Sequence, residues 1–283
     1  MSSITQLIKE LREKTGAGFL DCKKSLEDNN NDIEKSIEAL RKKGLAKASK
    51  KTDRAAIEGA VGVYSNKNIT ALIKVNSETD FAAKSDTFLD FLDSLGNLVL
   101  ENNSKIDKNQ FLQLNFDKGT VQDYFNSMIA KIGENLILND LLIKENKNST
   151  YSYYIHNSYR GNIGKIISLV EYTTLDNNIE VKTLSKNICM HIAAMKPESI
   201  DVNDLDENLV NNEKKIQREL ILNSGKPSNI VQKILEGKMK KYFSEVTLLN
   251  QFFILDQDKT VLDIINQHSK YEFNLISFDL INL

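Results

Sequence analysis

Residues 76–86 read Asn-Ser-Glu-Thr-Asp-Phe-Ala-Ala-Lys-Ser-Asp, and this polar stretch decides how the central part of the chain folds. The run before it, Ile69–Val75, is apolar and β-branched and has the length of a strand. The apolar side chains after it recur at helical spacing: Phe88, Leu89, Phe91, Leu92, Leu95 and Val99. We therefore predict that a strand leads into residues 76–86, which we call the knuckle, and that a helix follows them.

Two interpretations of the knuckle fit these residues. In one, Ser77, Thr79 or Asp80 caps the helix, and Phe81 fills the core beneath it. In the other, Asp80 and Phe81 present one charge and one aromatic ring to a partner from a rigid base. Helix entries commonly look like this, so the residues alone favour a cap and a core side chain.

Length, charge and cysteine content restrict the class of protein. The 283 residues suffice for about two domains and at least one sizeable core. A net charge of −2 argues against broad nucleic-acid binding. The two cysteines, Cys22 and Cys189, lie far apart and predict no disulfide framework, which fits a reducing cytoplasm. No apolar run approaches the ~20 residues of a membrane span, and we expect no secretion signal.

Residues 1–54 predict a bundle of three short amphipathic helices followed by a basic linker. Each helix is marked by apolar side chains at helical spacing: Ile4, Leu7, Ile8 and Leu11, then Phe19, Cys22 and Leu26, then Ile33, Ile37 and Leu40. Asn31 and Glu34 have the spacing of a capping box before the third helix. The basic run 41–54 can track phosphates, but we favour a solvated helix end and then a flexible linker.

The remaining residues predict an α+β core in two related parts, 55–140 and 141–283. A β-hairpin followed by a long helix occurs twice: Ala60–Tyr64 with Ile69–Val75 before the knuckle helix, and Tyr151–His156 with Ile163–Tyr172 before a helix over Val181–Met195. In this arrangement His156 lies at the tip of the second hairpin.

Residues 206–245 predict an antiparallel helical hairpin with arms at Asp206–Asn223 and Ser228–Glu245. Leu209, Ile216 and Leu220 face one way on the first arm, and we expect this stripe to pack within the hairpin. After the hairpin, the residues predict strands over Leu248–Leu255 and Phe273–Leu283.

No residue pattern points to an enzyme. The chain shows no Ser/His/Asp set, close carboxylate pair in a plausible cleft, metal cluster or dinucleotide-binding glycine motif. Gly225-Lys226 lacks the upstream glycine of a phosphate loop and is followed by proline. His191 has no second ligand at metal spacing, so we expect it to pack within its helix. The residues alone support an α+β binding protein without a catalytic residue, metal or cofactor.

Six segments, taken together, resemble bacterial elongation factor Ts. They occur in the order of that family and extend over nearly the whole chain: Ile8–Lys24, Glu78–Phe81, Lys131–Asn135, Met190–Ala194 with Lys196-Pro197, Ser224–Pro227 and Lys259–Val261. The resemblance implies a guanine-nucleotide exchange factor for elongation factor Tu, the GTPase that delivers aminoacyl-tRNA to the ribosome. It also implies an N-terminal bundle like ubiquitin-associated modules, a two-part α+β core and a protruding helical hairpin.

The resemblance also implies roles for particular residues. In the family, a Thr-Asp-Phe motif intrudes beside the nucleotide of the GTPase and disturbs the Mg²⁺ ion. That role falls here on four consecutive residues of the knuckle: Thr79, Asp80, Phe81 and Ala82. The expected partner is elongation factor Tu, without direct contact to nucleic acid or membrane.

Two other regions are expected to contact the partner. By the resemblance, the bundle holds the GTPase domain through Arg12, Phe19 and Leu20. His156 matches a position that reaches the third domain of elongation factor Tu.

Two departures from the family and one rival function accompany this interpretation. Ala82 stands where the family commonly carries valine, which removes apolar contact. After Thr260-Val261 the family usually continues into a terminal helix, and we expect no partner contact from such a module here. The rival is a non-exchange adaptor that binds another protein through the N-terminal bundle. An adaptor has no need of Asp80 and Phe81.

Deletion of residues 1–54 tests the predicted division of the chain. We expect the remaining core to stay folded and to bind elongation factor Tu poorly, because the bundle would carry the docking residues. Circular dichroism and a binding titration measure the two properties. Full affinity and full exchange activity in the shortened protein would contradict the docking role of Arg12, Phe19 and Leu20.

Overall fold

The computed structural model describes residues 4–15, 17–49, 51, 53–117, 119–224 and 227–283. The chain forms two compact units. The first contains residues 1–145, 157–165 and 281–283, and the second contains residues 146–156 and 166–280. The predicted α+β class is confirmed, whereas the predicted boundaries at residues 54 and 140 stay a prediction.

The first unit combines helices with an antiparallel sheet. Its helices are α1 (Ile4–Thr15), α2 (Phe19–Asp28), α3 (Ile33–Ser49), α4 (Asp80–Ala83), α5 (Asp86–Asn102), α6 (Lys108–Leu112) and α7 (Val121–Ile132). Its strands are β1 (Glu58–Ser65), β2 (Ile69–Ser77), β3 (Asn115–Phe116), β4 (Gly119–Thr120) and β5 (Leu136–Glu145). The adjoining ends of β6 (Thr150–Arg160) and β7 (Ile163–Thr173) also belong to this unit.

Helices α1, α2 and α3 enclose a small apolar core of their own. Leu11, Cys22 and Leu26 lie at its centre and are fully buried, as the spacing predicts. The predicted capping box at Asn31 is wrong. The Asn31 N–H donates to the carbonyl of Leu26 at the end of α2, and the Asp32 carboxylate accepts the Lys35 N–H at the start of α3, at 3.0 Å.

The basic segment after residue 40 remains helical as far as Ser49. The helix α3 that it extends packs against α7, where the Arg41 guanidinium lies 3.7 Å from the Asp123 carboxylate. Alanines favour this continuation because they have the highest helix propensity. Lys50 and Thr52, within the predicted linker, lie outside the described residues.

Strands β1, β2 and β5 form the antiparallel sheet on which the knuckle is built. The core between this sheet and helices α5 and α7 is rich in aromatic rings. Phe91 of α5 packs edge-on against Phe125 and Tyr124 of α7, with ring centroids 4.8 and 5.0 Å apart. The hairpin of β1 and β2 is therefore held by a well-packed core directly before the knuckle begins.

The second unit contains the remaining parts of β6 and β7 and the elements that follow. These are α8 (Ile179–Met195), α9 (Glu207–Asn223), α10 (Ser228–Val246), β8 (Phe252–Phe253), β9 (Asp256–Thr260), α11 (Val261–Gln267) and β10 (Asn274–Asn282). Strand β7 pairs with β6 and with β10. The core lies between these strands and α8 and includes Tyr172, Ile188 and Phe273.

His191 is a buried structural side chain in the second unit. Its Nδ1 atom accepts the N–H of Ile254 at 3.2 Å, so Nε2 carries the proton and donates to Oε1 of Gln251 at 2.9 Å. The side chain of Gln251 in turn donates to the carbonyl of Glu245, in the last turn of α10, at 2.7 Å. His191 thus connects α8 to the base of the helical hairpin.

The helical hairpin of α9 and α10 forms as predicted, but its packed face differs from the predicted one. Leu209, Ile216 and Leu220 are all more than two-fifths exposed. The more buried side of α9 instead carries Val210 and Ile221. Both sets have helical spacing, and spacing alone does not tell which of two adjacent stripes meets a neighbouring helix. Gly225 and Lys226, between the arms, lie outside the described residues.

The prediction of a strand over Leu248–Leu255 is also wrong. Leu248–Asn250 forms a short 3-10 turn, and only Phe252–Phe253 pairs as a strand, with β9. The turn is stabilised by the Gln251 N–H, which donates to the carbonyl of Thr247 at 3.1 Å. A run of apolar residues does not by itself separate a strand from a buried turn.

Two glycine-to-alanine substitutions should change stability in opposite directions. Both glycines are within helices, where alanine gains about 1 kcal/mol in propensity. A methyl group on Gly96 would overlap the ring of Tyr64, which is buried and held by a hydrogen bond to Asp93 of 3.1 Å. Overpacking costs about 1–3 kcal/mol, so Gly96→Ala should lower the free energy of unfolding. At Gly237 an added methyl meets no described atom within 4 Å, so Gly237→Ala should raise it.

Denaturant unfolding of both glycine variants measures these changes. An unfolding free energy for Gly96→Ala equal to or above that of the parent protein would show that the Tyr64 ring is not fixed against α5.

The stability of the protein should fall in mildly acidic solution because of His191. Burial lowers the pKa of His191 below its ordinary value of 6.5. The unfolded chain therefore binds a proton that the folded chain does not, and stability is lost as the pH falls below about 6.5. Melting temperatures measured between pH 7.5 and 5.5 should decline less steeply in His191→Gln than in the parent. Equal slopes in the two proteins would contradict this role.

Candidate functional site

The knuckle consists of a strand end, one helical turn and the start of a long helix. A side-chain hydrogen bond caps the turn, and another caps the long helix. After β2 ends at Ser77, the Thr79 side chain caps α4 and accepts the N–H of Ala82 at 3.2 Å. Ser85 then caps α5 and accepts the N–H of Phe88 at 3.3 Å. The predicted order of strand, knuckle and helix is therefore present. Of the three predicted caps, Thr79 caps only the short turn α4, whereas the long helix α5 is capped by Ser85, which was not predicted.

Phe81 points away from the core. Its side chain is 84% exposed, and no large hydrophobic side chain among the described residues is more exposed. Its neighbours Ala82 and Ala83 are buried instead, where α4 packs on β1 and β2. The interpretation of Phe81 as a core side chain is wrong, because two small alanines occupy the buried side of this single turn.

Asp80 is ionised and paired beside Phe81. Its carboxylate accepts a hydrogen bond from the Lys84 ammonium at 2.8 Å, and both side chains are about half exposed. This bond holds the pKa of Asp80 below its usual range and raises the pKa of Lys84. The Lys84 ammonium also lies 5.8 Å from the centre of the Tyr159 ring. A charged carboxylate and a free aromatic ring therefore stand side by side at the surface.

A second segment, Gly133-Glu134-Asn135, braces the knuckle. Glu134 accepts two hydrogen bonds from Thr79, one from its N–H at 2.9 Å and one from its hydroxyl at 2.7 Å. In the reverse direction, Glu78 accepts the N–H of Asn135 at 2.7 Å. Gly133 ends α7 in the left-handed conformation, with φ of 90°, which suits glycine.

Sequence reasoning did not find this brace. The segment Lys131–Asn135 is one of the six motifs, but more than fifty residues separate Glu134 from Thr79. The signal that could have indicated the brace is Glu134-Asn135 itself. These polar residues directly follow a helix and match no catalytic or metal-binding pattern, which leaves a structural contact as their role. The brace includes the buried side chain of Asn135, whose amide donates to the carbonyl of Arg54 at 2.8 Å.

The three residues expected to dock the GTPase domain lie on the N-terminal bundle. Phe19 is 47% and Leu20 is 78% exposed, at the start of α2, while Cys22 and Leu26 of the same helix face the core. Arg12 is exposed on α1. These side chains are therefore accessible to a partner.

His156 does not lie at a hairpin tip. Strand β6 continues to Arg160, and the turn to β7 is formed by Gly161 and Asn162. The tip lies at Gly161, whose φ of 53° suits a two-residue hairpin turn, and the neighbouring Arg160 makes ion pairs with Asp90 and Asp93, each 2.8 Å long. His156 is an exposed strand residue whose Nδ1 lies 3.4 Å from the hydroxyl of Tyr154.

The described residues offer little for other chemistry. No group of three or more His, Cys, Asp or Glu side chains among them is arranged to hold a metal ion. Cys22 and Cys189 are both buried free thiols. Among the helices that the structure describes, none is long and apolar enough to cross a lipid bilayer.

Comparison with known proteins identifies the family. A family model described as Elongation factor TS matches residues 78–283. The chain belongs to the elongation factor Ts family. It is 39% identical over 264 residues to Elongation factor Ts of Rhodospirillum centenum, which covers 93% of this chain and 86% of the relative. It is 40% identical over 268 residues to Elongation factor Ts of Methylorubrum extorquens strain PA1, which covers 94% and 87%. The Allorhizobium ampelinum relative is 36% identical over 271 residues, covering 95% and 88%.

Membership of the elongation factor Ts family confirms the predicted function. The chain is a nucleotide exchange factor for elongation factor Tu in translation elongation, and it is not an enzyme that makes or breaks covalent bonds. The knuckle residues Glu78–Phe81 open the segment that the family model matches.

Proposed function

We propose that this chain releases GDP from elongation factor Tu by placing residues Thr79–Ala82 beside the bound nucleotide. There the turn disturbs the Mg²⁺ ion and the phosphate site. The observation that carries the proposal is the exposure of Phe81, at 84%, on a turn that Thr79 caps and Glu134 braces. Exposing a phenylalanine forgoes about 1.5–3 kcal/mol of burial, which a binding role explains.

Phe81 and Asp80 would act in different ways. The aromatic ring would occupy space beside the backbone groups of the GTPase that bind the phosphates of GDP. Because the ring is held rigidly, those backbone groups must move to make room for it. Asp80 brings a negative charge close to a site that holds a cation and phosphates. Its present partner, Lys84, would then be exchanged for polar groups of the GTPase. Ala82 is buried where α4 packs on β1 and β2, and it keeps the turn on the sheet.

Exchange follows from linkage and needs no reacting side chain. A factor that binds the nucleotide-free form of the GTPase more tightly than the GDP-bound form must weaken GDP binding. GDP weakens the binding of the factor by the same amount. New nucleotide therefore expels the factor once it binds, and the cycle can repeat.

The docking roles complete the proposal. We propose that the GTPase domain binds a surface formed by Arg12, Phe19 and Leu20, because these side chains are exposed on the bundle. His156 is offered as a contact to the third domain, supported by its exposure on β6. Contacts on two units would keep the knuckle close to the nucleotide while GDP leaves.

Replacement of Phe81 by alanine tests the wedge. Phe81→Ala should change the free energy of unfolding by less than ~1 kcal/mol, as for other surface substitutions. It should strongly slow the release of labelled GDP from elongation factor Tu. Phe252→Ala is the matched control, because Phe252 is a 58% exposed phenylalanine in the second unit. Its release rate should equal that of the parent.

Two results would contradict the wedge. One is a Phe81→Ala protein that melts much earlier yet releases GDP normally while folded, as a core side chain would. The other is an equal loss of exchange in Phe81→Ala and Phe252→Ala, which would show that any exposed phenylalanine matters to the same degree.

A further inference from the structure

The turn that carries Phe81 is too short to hold itself in place. Helix α4 has only four residues, and an isolated helix of this length is not stable in water. Its direction must therefore be set by contacts outside the turn. Burial of Ala82 and Ala83 supplies one such contact, but two methyl groups on a sheet do not fix a rotation. Polar contacts at both ends of the turn supply the rest. After the turn, the Ser85 hydroxyl donates to the Ala82 carbonyl at 2.7 Å, and before it Thr79 is bonded to Glu134.

Glu134 controls the group that caps the turn. The Thr79 hydroxyl donates its hydrogen to Glu134 at 2.7 Å, so its lone pairs face the Ala82 N–H, 3.2 Å away. The Thr79 N–H also donates to Glu134, at 2.9 Å. One carboxylate therefore fixes both the backbone and the side chain of the capping residue, and bonds to an ionised acceptor are among the stronger hydrogen bonds.

The brace itself is anchored at its far end. Glu134 follows Gly133 at the end of α7, a helix whose side chains Phe125 and Ile129 lie in the first core. The bond from the Asn135 N–H to Glu78, at 2.7 Å, ties the two segments together a second time. Thr79 and Glu134 thus link the turn that carries Phe81 to α7, a helix anchored in the core, and this link fixes the direction of the Phe81 ring.

We propose that Glu134 is a positioning residue for nucleotide exchange, which holds Phe81 in the direction required to enter the GTPase without itself touching the nucleotide. The inference rests on the proposed function, since it assigns the wedge to Phe81. Its signature is a slower GDP release at saturating factor, with unchanged docking, because the docking surface lies elsewhere on the chain.

The test measures GDP release from elongation factor Tu as a function of factor concentration for Glu134→Ala and Glu134→Gln. Glu134→Ala removes two hydrogen bonds to a carboxylate, and the loss of such bonds frees the turn to leave the direction that the wedge requires. We expect Glu134→Ala to lower the maximal release rate by about tenfold and to leave the half-saturating concentration within about twofold of the parent value. Glu134→Gln retains one acceptor oxygen, so its rate should be intermediate. Glu101→Ala is the control, an exposed glutamate at the end of α5, and should match the parent.

A double variant separates this inference from the proposed function. If Glu134 acts through Phe81, the variant Phe81→Ala with Glu134→Ala should release GDP no more slowly than Phe81→Ala alone. Multiplied losses in the double variant would overturn the inference. So would a maximal rate for folded Glu134→Ala within twofold of the parent, or for Glu134→Gln if the alanine variant does not fold. Normal release by Phe81→Ala would instead contradict the proposed wedge itself.

Discussion

A helix of one turn does not hold its own shape in water, and the site of this protein is built around such a helix. The four residues of α4 make too few hydrogen bonds to offset the entropy of ordering them. Everything that makes Phe81 useful as a rigid group must come from the neighbouring segments. The Thr79 cap, the Glu134 brace and the buried alanines together replace the turns that α4 lacks.

The rest of the first unit can be understood as the frame for this turn. Strand β2, paired with β1 and β5, ends at Ser77, where the knuckle begins. Aromatic packing between α5 and α7 fixes the helix that follows the knuckle and the helix from which the brace extends. A distortion of that core would move the exposed ring without touching it. Because no side chain of the site reacts, the function of this exchange factor depends on where Phe81 and Asp80 are held.

Sequence patterns predicted the framework because local chemistry decides it. The β-branched run before the knuckle, the Thr79 cap and the helical spacing after residue 86 each act over a few residues. Phe81 could not be assigned from these patterns. Whether it is buried depends on which side of α4 meets the sheet, and this is decided by the small size of Ala82 and Ala83.

Most of the remaining errors have the same origin in contacts between distant segments. Glu134 braces Thr79 across more than fifty residues, and no local pattern records that pairing. The turn between β6 and β7 is set by the left-handed conformation of Gly161, beyond the run that suggested a tip at His156. On α9 two neighbouring stripes both have helical spacing, and only the position of α10 decides between them. Family resemblance identified the function, because motifs keep their order even where their contacts cannot be inferred.

Amide hydrogen exchange in the free protein tests most directly whether the knuckle is held in place before it meets its partner. The N–H groups of Thr79, Ala82 and Asn135 are each bonded to a side chain of the cap or the brace. We expect all three amides to exchange slowly, and we expect Thr79 and Ala82 to lose this protection in Glu134→Ala. Exchange of the Thr79 and Ala82 amides at the rate of an open loop in the parent protein would contradict this expectation, because the ring would then be positioned only on binding.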